Sequence, residues 1–306
     1  MHKIISNIIP QFQKNYNNNL TSWRNYDILF RMNTITSRDN KILKHVKKLG
    51  SVSYRAKSRE FIAEGERLCN EALACNADIS LAIMSETFID ENVNFQKKLD
   101  DLKVKVYTVP DKLFDDISKT DTPQGVLFVI KQANGENVNF ADISRVLVLD
   151  GVAEPGNMGT IIRTAGAFGF STIILVNSCV DIYNPKVVRS TMGGIFRSDF
   201  IRAGCRGEPC SPVDIIETLK SAGFKIIATA LKNAVDINTI NFDGKIALVI
   251  GNEANGVSSE LLELSDVNVK IPMANGAESL NAAVAAGIVM YVVGRDALGT
   301  PNENSK

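Results

Sequence analysis

Apolar runs of four to six residues recur along this chain, each followed by a glycine- or proline-marked break and then an amphipathic stretch. From residue 143 the alternation is regular. Val146 to Leu149, Thr172 to Val176, Lys225 to Ala230, Ala247 to Ile250 and Val267 to Ile271 read as strands. Asn157 to Phe168, Pro185 to Gly193, Ile215 to Ala222, Ser259 to Leu264 and Leu280 to Arg295 read as helices, with Asp199 to Arg202 extended. Fully apolar strands alternating with helices predict a parallel sheet covered on both faces. Residues 34–132 form a smaller, less regular α/β unit. It has a helix over Asp39 to Lys48, strands at Phe61 to Ala63, Leu81 to Met84, Val104 to Val109 and Val126 to Ile130, and helices from Gly65 to Leu73 and Pro110 to Ile117. A polar linker, 133–142, joins the two units. Residues 1–33 carry three consecutive asparagines and no sustained period, so they read as a disordered extension, with Met32 a candidate start. Residues 297–306 read as a tail.

Composition adds little to this picture. Hydrophobic residues make up 45% and charged residues 22% of 306, as in an ordinary globular protein. No apolar run reaches the roughly 18 to 20 residues of a membrane span. The five cysteines, including the Cys205/Cys210 pair, show no four-ligand metal spacing, so no metal is expected. Their odd number and the lack of a secretory signal point to a reducing, cytoplasmic setting. Net charge is zero, but Arg31, Arg38, Lys41, Lys44, Lys47, Lys48, Arg55, Lys57 and Arg59 are opposed within 31–59 by Asp39 alone. This segment reads either as a solvated helix face or as a polyanion contact, with Arg38, Lys41, Lys44, Lys47, Lys48, Arg55 and Arg59 as candidate RNA-binding residues.

Candidate chemistry concentrates at strand-to-helix junctions, where open α/β sheets bind ligands. The first junction runs Asp150-Gly-Val-Ala-Glu-Pro-Gly-Asn157-Met-Gly-Thr-Ile-Ile-Arg163. Its glycine spacing fits neither a dinucleotide fingerprint nor a phosphate-binding loop of the Gly-Lys-Ser/Thr kind. Asn157 reads as a helix cap or a polar site group. Arg163, nearly two turns on and at a similar azimuth, reads as a surface arginine or a bidentate phosphate ligand. Two later junctions, Gly251-Asn-Glu253-Ala-Asn-Gly256 and Ile271-Pro-Met273 leading to Ser279-Leu280-Asn281, suggest one composite pocket. Ser279 reads first as a cap of the last helix, with a substrate contact the alternative, and Glu253 as a solvated loop acid or as orienting Asn157 or Arg163.

Taken in order with Val188-Arg-Ser-Thr-Met-Gly-Gly194, these segments resemble the motif set of the SpoU (TrmH) family, RNA 2′-O-ribose methyltransferases of the SPOUT class. The resemblance covers about residues 143–295. Residues 38–132 more weakly resemble the family's ribosomal-protein-like RNA-binding domain, through Glu64-Gly65 and Thr122-Pro-Gln-Gly125. Ala254 stands where the family often has glycine. The resemblance implies a methyltransferase domain over 143–296 with a deep trefoil knot, a homodimer, and S-adenosyl-L-methionine as cofactor. By that resemblance Gly251, Ile271 and Leu280 would hold the cofactor, with Ala230 and Met273 beside it, and Asn157, Arg163, Glu253, Ser279 and Asn281 would form the polar active site. The expected substrate is structured RNA, with large-subunit ribosomal RNA ahead of tRNA. A non-catalytic RNA-binding or assembly factor is the reading of another class.

Overall fold

The computed structural model describes residues 33–133, 138–202, 211–274 and 279–295. The extension over 1–32, part of the linker, Cys205 and Cys210, and the tail lie outside them.

The first unit runs β1 (Asn33–Thr34), α1 (Lys41–Lys48), α2 (Val52–Ser58), β2 (Glu60–Glu64), α3 (Glu66–Ala74), β3 (Ile79–Ser85), α4 (Glu86–Glu91), α5 (Val93–Asp101), β4 (Val106–Val109), α6 (Asp111–Ile117) and β5 (Val126–Lys131). The strands form one mixed sheet in the order β1-β4-β3-β5-β2. Its two faces are covered by different helices. On one, α3, α4 and α5 pack through Leu68, Phe88 and Leu99 on Phe61, Met84 and Phe128. On the other, α1 and α6 pack through Leu43, Val46 and Phe114 on Ile62, Ile83 and Val129. Asn40 starts α1 by accepting from the Ile42 amide at 2.8 Å. The Asn-x-x-apolar pattern around it is an ordinary helix-start signal.

The second unit runs β6 (Arg145–Asp150), α7 (Pro155–Ala167), β7 (Thr172–Val176), α8 (Pro185–Ser190), β8 (Asp199–Arg202), α9 (Pro212–Ser221), β9 (Phe224–Thr229), β10 (Val235–Asp236), β11 (Lys245–Ile250), α10 (Ser259–Leu264), β12 (Val267–Lys270) and α11 (Ala282–Gly294). Its seven strands lie in the order β10-β12-β9-β11-β6-β7-β8, every pair parallel. Helices α7 and α11 cover one face through Ile161, Ala165, Ala286 and Val289. Helices α9 and α10 cover the other through Ile216, Leu219 and Leu261. Two-faced burial explains why these strands carry unbroken runs such as Val-Leu-Val-Leu, without a polar alternate.

The two units meet along the α3–α5 face of the first sheet. Val188 and Ile195 enter the core of that face, and Phe61 lies 4.7 Å from Tyr183 and 6.3 Å from Phe196 between ring centroids. Charge reinforces the contact. Arg55 is 1% exposed, donates from Nε and Nη2 to Asp181 at 2.9 and 2.7 Å, and donates from Nη1 to the Leu49 carbonyl at 2.7 Å. This overturns its reading as an RNA ligand: Arg55 is a strut between the two units.

The sequence pattern missed α2, α4 and α5. Helix α2 (Val-Ser-Tyr-Arg-Ala-Lys-Ser) has no apolar stripe, and its buried residue is Arg55. The chain around α5 alternates acids and lysines over a narrow Phe95/Leu99 stripe. No helix of the described residues is long and apolar enough to cross a membrane.

Candidate active site and its relatives

Strands β12, β9, β11 and β6 are sheet neighbours, so their C-terminal ends open on one edge. Ile271, Ala230 and Gly251 directly follow the first three of these strands. The amide of Ala230 donates to the Val269 carbonyl at 2.9 Å, tying the β9 and β12 ends together. After Gly251 the chain doubles back: Asn252 and Gly256 exchange both backbone hydrogen bonds at 2.9 Å. A Cβ on Gly251 would fall 2.0 Å from the Gly256 carbonyl carbon and 2.1 Å from the Val257 nitrogen. Only glycine permits this fold-back, which leaves backbone groups presented at the strand end. Asp150, at the end of β6, accepts from the Ser258 amide at 2.7 Å and from Asn177, so the loop is braced on the next strand.

Glu253 projects from that loop to the start of α7. Its carboxylate accepts from the Ala153 amide at 3.2 Å, the Glu154 amide at 3.1 Å and Asn157 Nδ2 at 3.0 Å. Burial disfavours its charged form. The hydrogen bonds from Asn157, its own backbone, Ala153 and Glu154 outweigh that and hold the carboxyl below its usual value. Asn157 Oδ1 in turn accepts from Asn281 Nδ2 at 3.0 Å. Asn281 Oδ1 caps α11 by accepting from the Ala283 and Val284 amides at 2.9 and 3.2 Å. Each amide therefore has one orientation, since the acceptor Glu253 forces Nδ2 of Asn157 toward it. Three junctions, distant in sequence, are joined by one directed chain of hydrogen bonds.

Three sequence expectations change here. Neither Asn157 nor Ser279 caps a helix. Glu154 caps α7, its carboxylate accepting from the Asn157 amide at 2.6 Å and from Lys186 Nζ at 3.0 Å. The Gly156 amide and Lys186 hold its carboxyl low in turn. Glutamate is an unusual cap, so residue preference alone points to Asn157. Asn281 caps α11, and Ser279 lies exposed two residues before it. Nor do Asn157 and Arg163 share an azimuth, because six residues at about 100° each leave them about 120° apart. Thr164 is the residue on the Asn157 line and faces α11 at Gly287. Arg163 faces the turn after α8, where a Cβ on Gly194 would sit 3.4 Å from Arg163 Cα. Its guanidinium has no hydrogen-bond or ion-pair partner among the described residues. Leu280, 38% exposed, and the half-buried Ile271 and Met273 complete an apolar rim. The sequence reading missed Asn252 as a brace: its Nδ2 donates to the Gly151 carbonyl at 2.8 Å. Its Oδ1 accepts from the Ala254 and Asn255 amides at 2.9 and 3.1 Å.

Of the other basic residues named above, Lys41, Lys44, Lys47 and Lys48 lie exposed on α1. Lys44 pairs with Asp39 at 2.8 Å and Arg38 with Asp116 at 2.6 Å. Arg59 is exposed after α2. Helix α1 covers the face of the first sheet opposite to the one that meets the second unit.

A parallel sheet whose strand ends carry a glycine fold-back, an apolar rim and a directed Glu–Asn–Asn chain, with an unpaired arginine further along α7, has the make-up of one class: a group-transfer enzyme with its site at a sheet edge. The comparisons sharpen this. Residues 144–291 match the SpoU rRNA Methylase family, and residues 40–127 match the MRM3-like substrate binding domain. The Bacillus subtilis 23S rRNA (guanosine(2553)-2′-O)-methyltransferase RlmP is 34% identical over 85% of this chain and 98% of its own length. The crystal structure of an AdoMet-bound rRNA methyltransferase from Sinorhizobium meliloti superposes with a TM-score of 0.76 at 32% identity. It covers 88% of this chain and all of that one. The AdoMet complex of the SpoU methyltransferase AviRb from Streptomyces viridochromogenes gives 0.71 at 27% identity, over 85% and 99%. This chain belongs to the SpoU (TrmH) family of S-adenosylmethionine-dependent RNA 2′-O-methyltransferases.

Proposed function

We propose that this chain methylates a ribose 2′-hydroxyl of large-subunit ribosomal RNA. The Glu253–Asn157–Asn281 chain, with the unpaired Arg163 on the same helix as Asn157, carries the reading, together with relatives named as 23S rRNA methyltransferases. S-adenosylmethionine supplies the electrophilic methyl group. The Gly251 cradle, which a Cβ would fill, suits a backbone-held adenosine moiety. Gly251, Ala230, Ile271, Met273 and Leu280 would hold it by main-chain groups and apolar contact. The residues of this chain then position the hydroxyl and stabilise charge. A guanidinium offers donors and no acceptor, so Arg163 acts by charge rather than as a base, and the hydroxyl proton passes to solvent. The arginine fork grips the phosphate next to the target ribose and lowers the energy of the developing alkoxide. Asn157 and Asn281, oriented by ionised Glu253, fix the sugar, and exposed Ser279 contacts it from the α11 side.

The domain division supports this use, with residues 34–132 binding RNA and 143–296 carrying the reaction. Helix α11 lies between α7 and the turn over Ile237–Thr239, the placement expected of a chain end threaded into a trefoil knot. Its outer face exposes Leu280, Val284 (52%), Ile288 and Tyr291 (54%), a stripe that suits a second copy of this chain. Bacterial relatives have their ribosomal RNA in the cytoplasm, and we place this reaction there.

Mapping ribose methylation in total RNA from cells with and without the gene tests the substrate. One large-subunit site should lose its methyl group, and a lost tRNA site would favour tRNA instead. Arg163→Ala should lower turnover about 100- to 1,000-fold, as for loss of one preorganised charge-stabilising donor. Cofactor affinity should stay within about two-fold, because the arginine serves the RNA side of the transition state. Near-full activity of that variant would refute the assignment.

A further inference from the structure

From three arginines on the helices that meet at one turn we infer that Arg67 and Arg189 form, with Arg163, a phosphate track that leads RNA from the first unit into the active site. The inference rests on the RNA-methylating reading above. Arg67 lies exposed on α3, one turn before Glu71. Arg189 is near the end of α8 and opens the turn, its carbonyl accepting from the Met192 amide at 3.1 Å. One nitrogen of Arg189, Nη1, is buried without any hydrogen-bond partner.

The turn itself brings the three helices together. A Cβ on Gly193 would lie 2.9 Å from Glu71 Cβ, and one on Gly194 would lie 3.4 Å from Arg163 Cα. With adjacent Cα atoms about 3.8 Å apart, Glu71 Cβ and Arg163 Cα are within about 13 Å. Arg67 is one helical turn beyond Glu71. Such a span suits two or three consecutive phosphates.

Pairing separates these arginines from their neighbours. Arg197 sits in the same turn but pairs with Glu71. Arg55 and Arg202 share Asp181. Arg67, Arg163 and Arg189 have no acidic partner or hydrogen-bond acceptor among the described residues. A guanidinium nitrogen withdrawn from water with no acceptor costs free energy that a phosphate oxygen recovers, and the planar fork suits that acceptor. The Glu71–Arg197 pair and the Arg55–Asp181 strut hold α3 against the turn, so the track is set by the docking of the units. It also lies on the α3 side of the first sheet, across from the α1 lysines.

The test is a salt titration of binding to an in vitro transcript of large-subunit ribosomal RNA, using the full chain. Removing one phosphate ligand should flatten the slope of log K against log salt by about 0.7 to 0.9. Arg67→Ala should show one such step and Arg67→Ala/Arg189→Ala two, with a raised KM for RNA and unchanged S-adenosylmethionine affinity by calorimetry. Arg67 is an exposed helix position, so its variant reports even where an Arg189 variant fails to fold. Unchanged slope and KM in Arg67→Ala would overturn the track. So would an unchanged slope in the double arginine variant alongside a flattened one in Lys44/Lys47/Lys48→Ala, which would move the RNA path to the outer face. Wild-type binding with steep, arginine-dependent slope but no methyl transfer would refute the methyltransferase reading and leave the track standing.

Discussion

At the scale of single residues, the site depends on the charge of Glu253. Its carboxylate is the terminal acceptor of the Asn157–Asn281 chain, and four hydrogen bonds keep it ionised. Glu253→Gln offers the loop amides a weaker acceptor and frees the Asn157 amide to flip. Turnover should fall roughly 10- to 100-fold, the equivalent of about 1.4 to 2.7 kcal/mol. The same group gives a pH signature. Its folded-state pKa lies below the ordinary 4.5, so its stabilisation is complete above that value and is lost as pH falls through the lower folded value. Thermal midpoints of wild type and Glu253→Gln should therefore differ near neutrality and converge as pH falls below 4.5 and through the lower folded value. A gap that stays constant down to that acidity would show that the charge is not what orients the loop.

At the scale of elements, α2 and the segment before α8 are joined by the buried Arg55–Asp181 pair. Removing Arg55 leaves Asp181 with Arg202 at 3.4 Å, so the expected cost is that of lost charged hydrogen bonds, about 1.5 to 3 kcal/mol. Arg55→Ala should lower the unfolding midpoint accordingly, whereas Lys57→Ala, exposed on the same helix, should leave it unchanged. Equal midpoints for the two variants in denaturant titration would contradict the strut.

At the scale of the whole molecule, α11 is apolar nearly all round, which suits the proposed seating of a second copy of this chain on it. Its inner side packs on α7 and the sheet through Ala286, Val289 and Met290. Its outer stripe lies beside the Asn281 cap, so a second copy seated there would border the active site. Val284→Glu with Ile288→Glu should yield a monomer by light scattering after gel filtration. A variant that retains the wild-type mass would place any dimer contact elsewhere.

Much of this was legible in the chain itself. The central strands β6, β7, β9 and β11 are apolar over most of their length, so their two-faced burial and the parallel sheet follow from pattern alone. Residues 172–176 and 259–264 match the expected elements end to end. Motif order singled out the three junctions that the structure joins through Glu253, Asn157 and Asn281. What only the tertiary structure decided is which polar groups meet. Hydrogen bonds between Glu253, Asn157 and Asn281 depend on which strand ends are neighbours, and β11 lies beside β6 although α7, α8 and α9 intervene in sequence. The cap of α7 passed to Glu154 because Lys186, from another helix, supports it. Arg55 reads as one more cation in a basic segment, yet Asp181, 126 positions away, buries it. A linear sequence records charge and periodicity; the partner that decides whether a charge faces water or another charge is set by the docking of the two units.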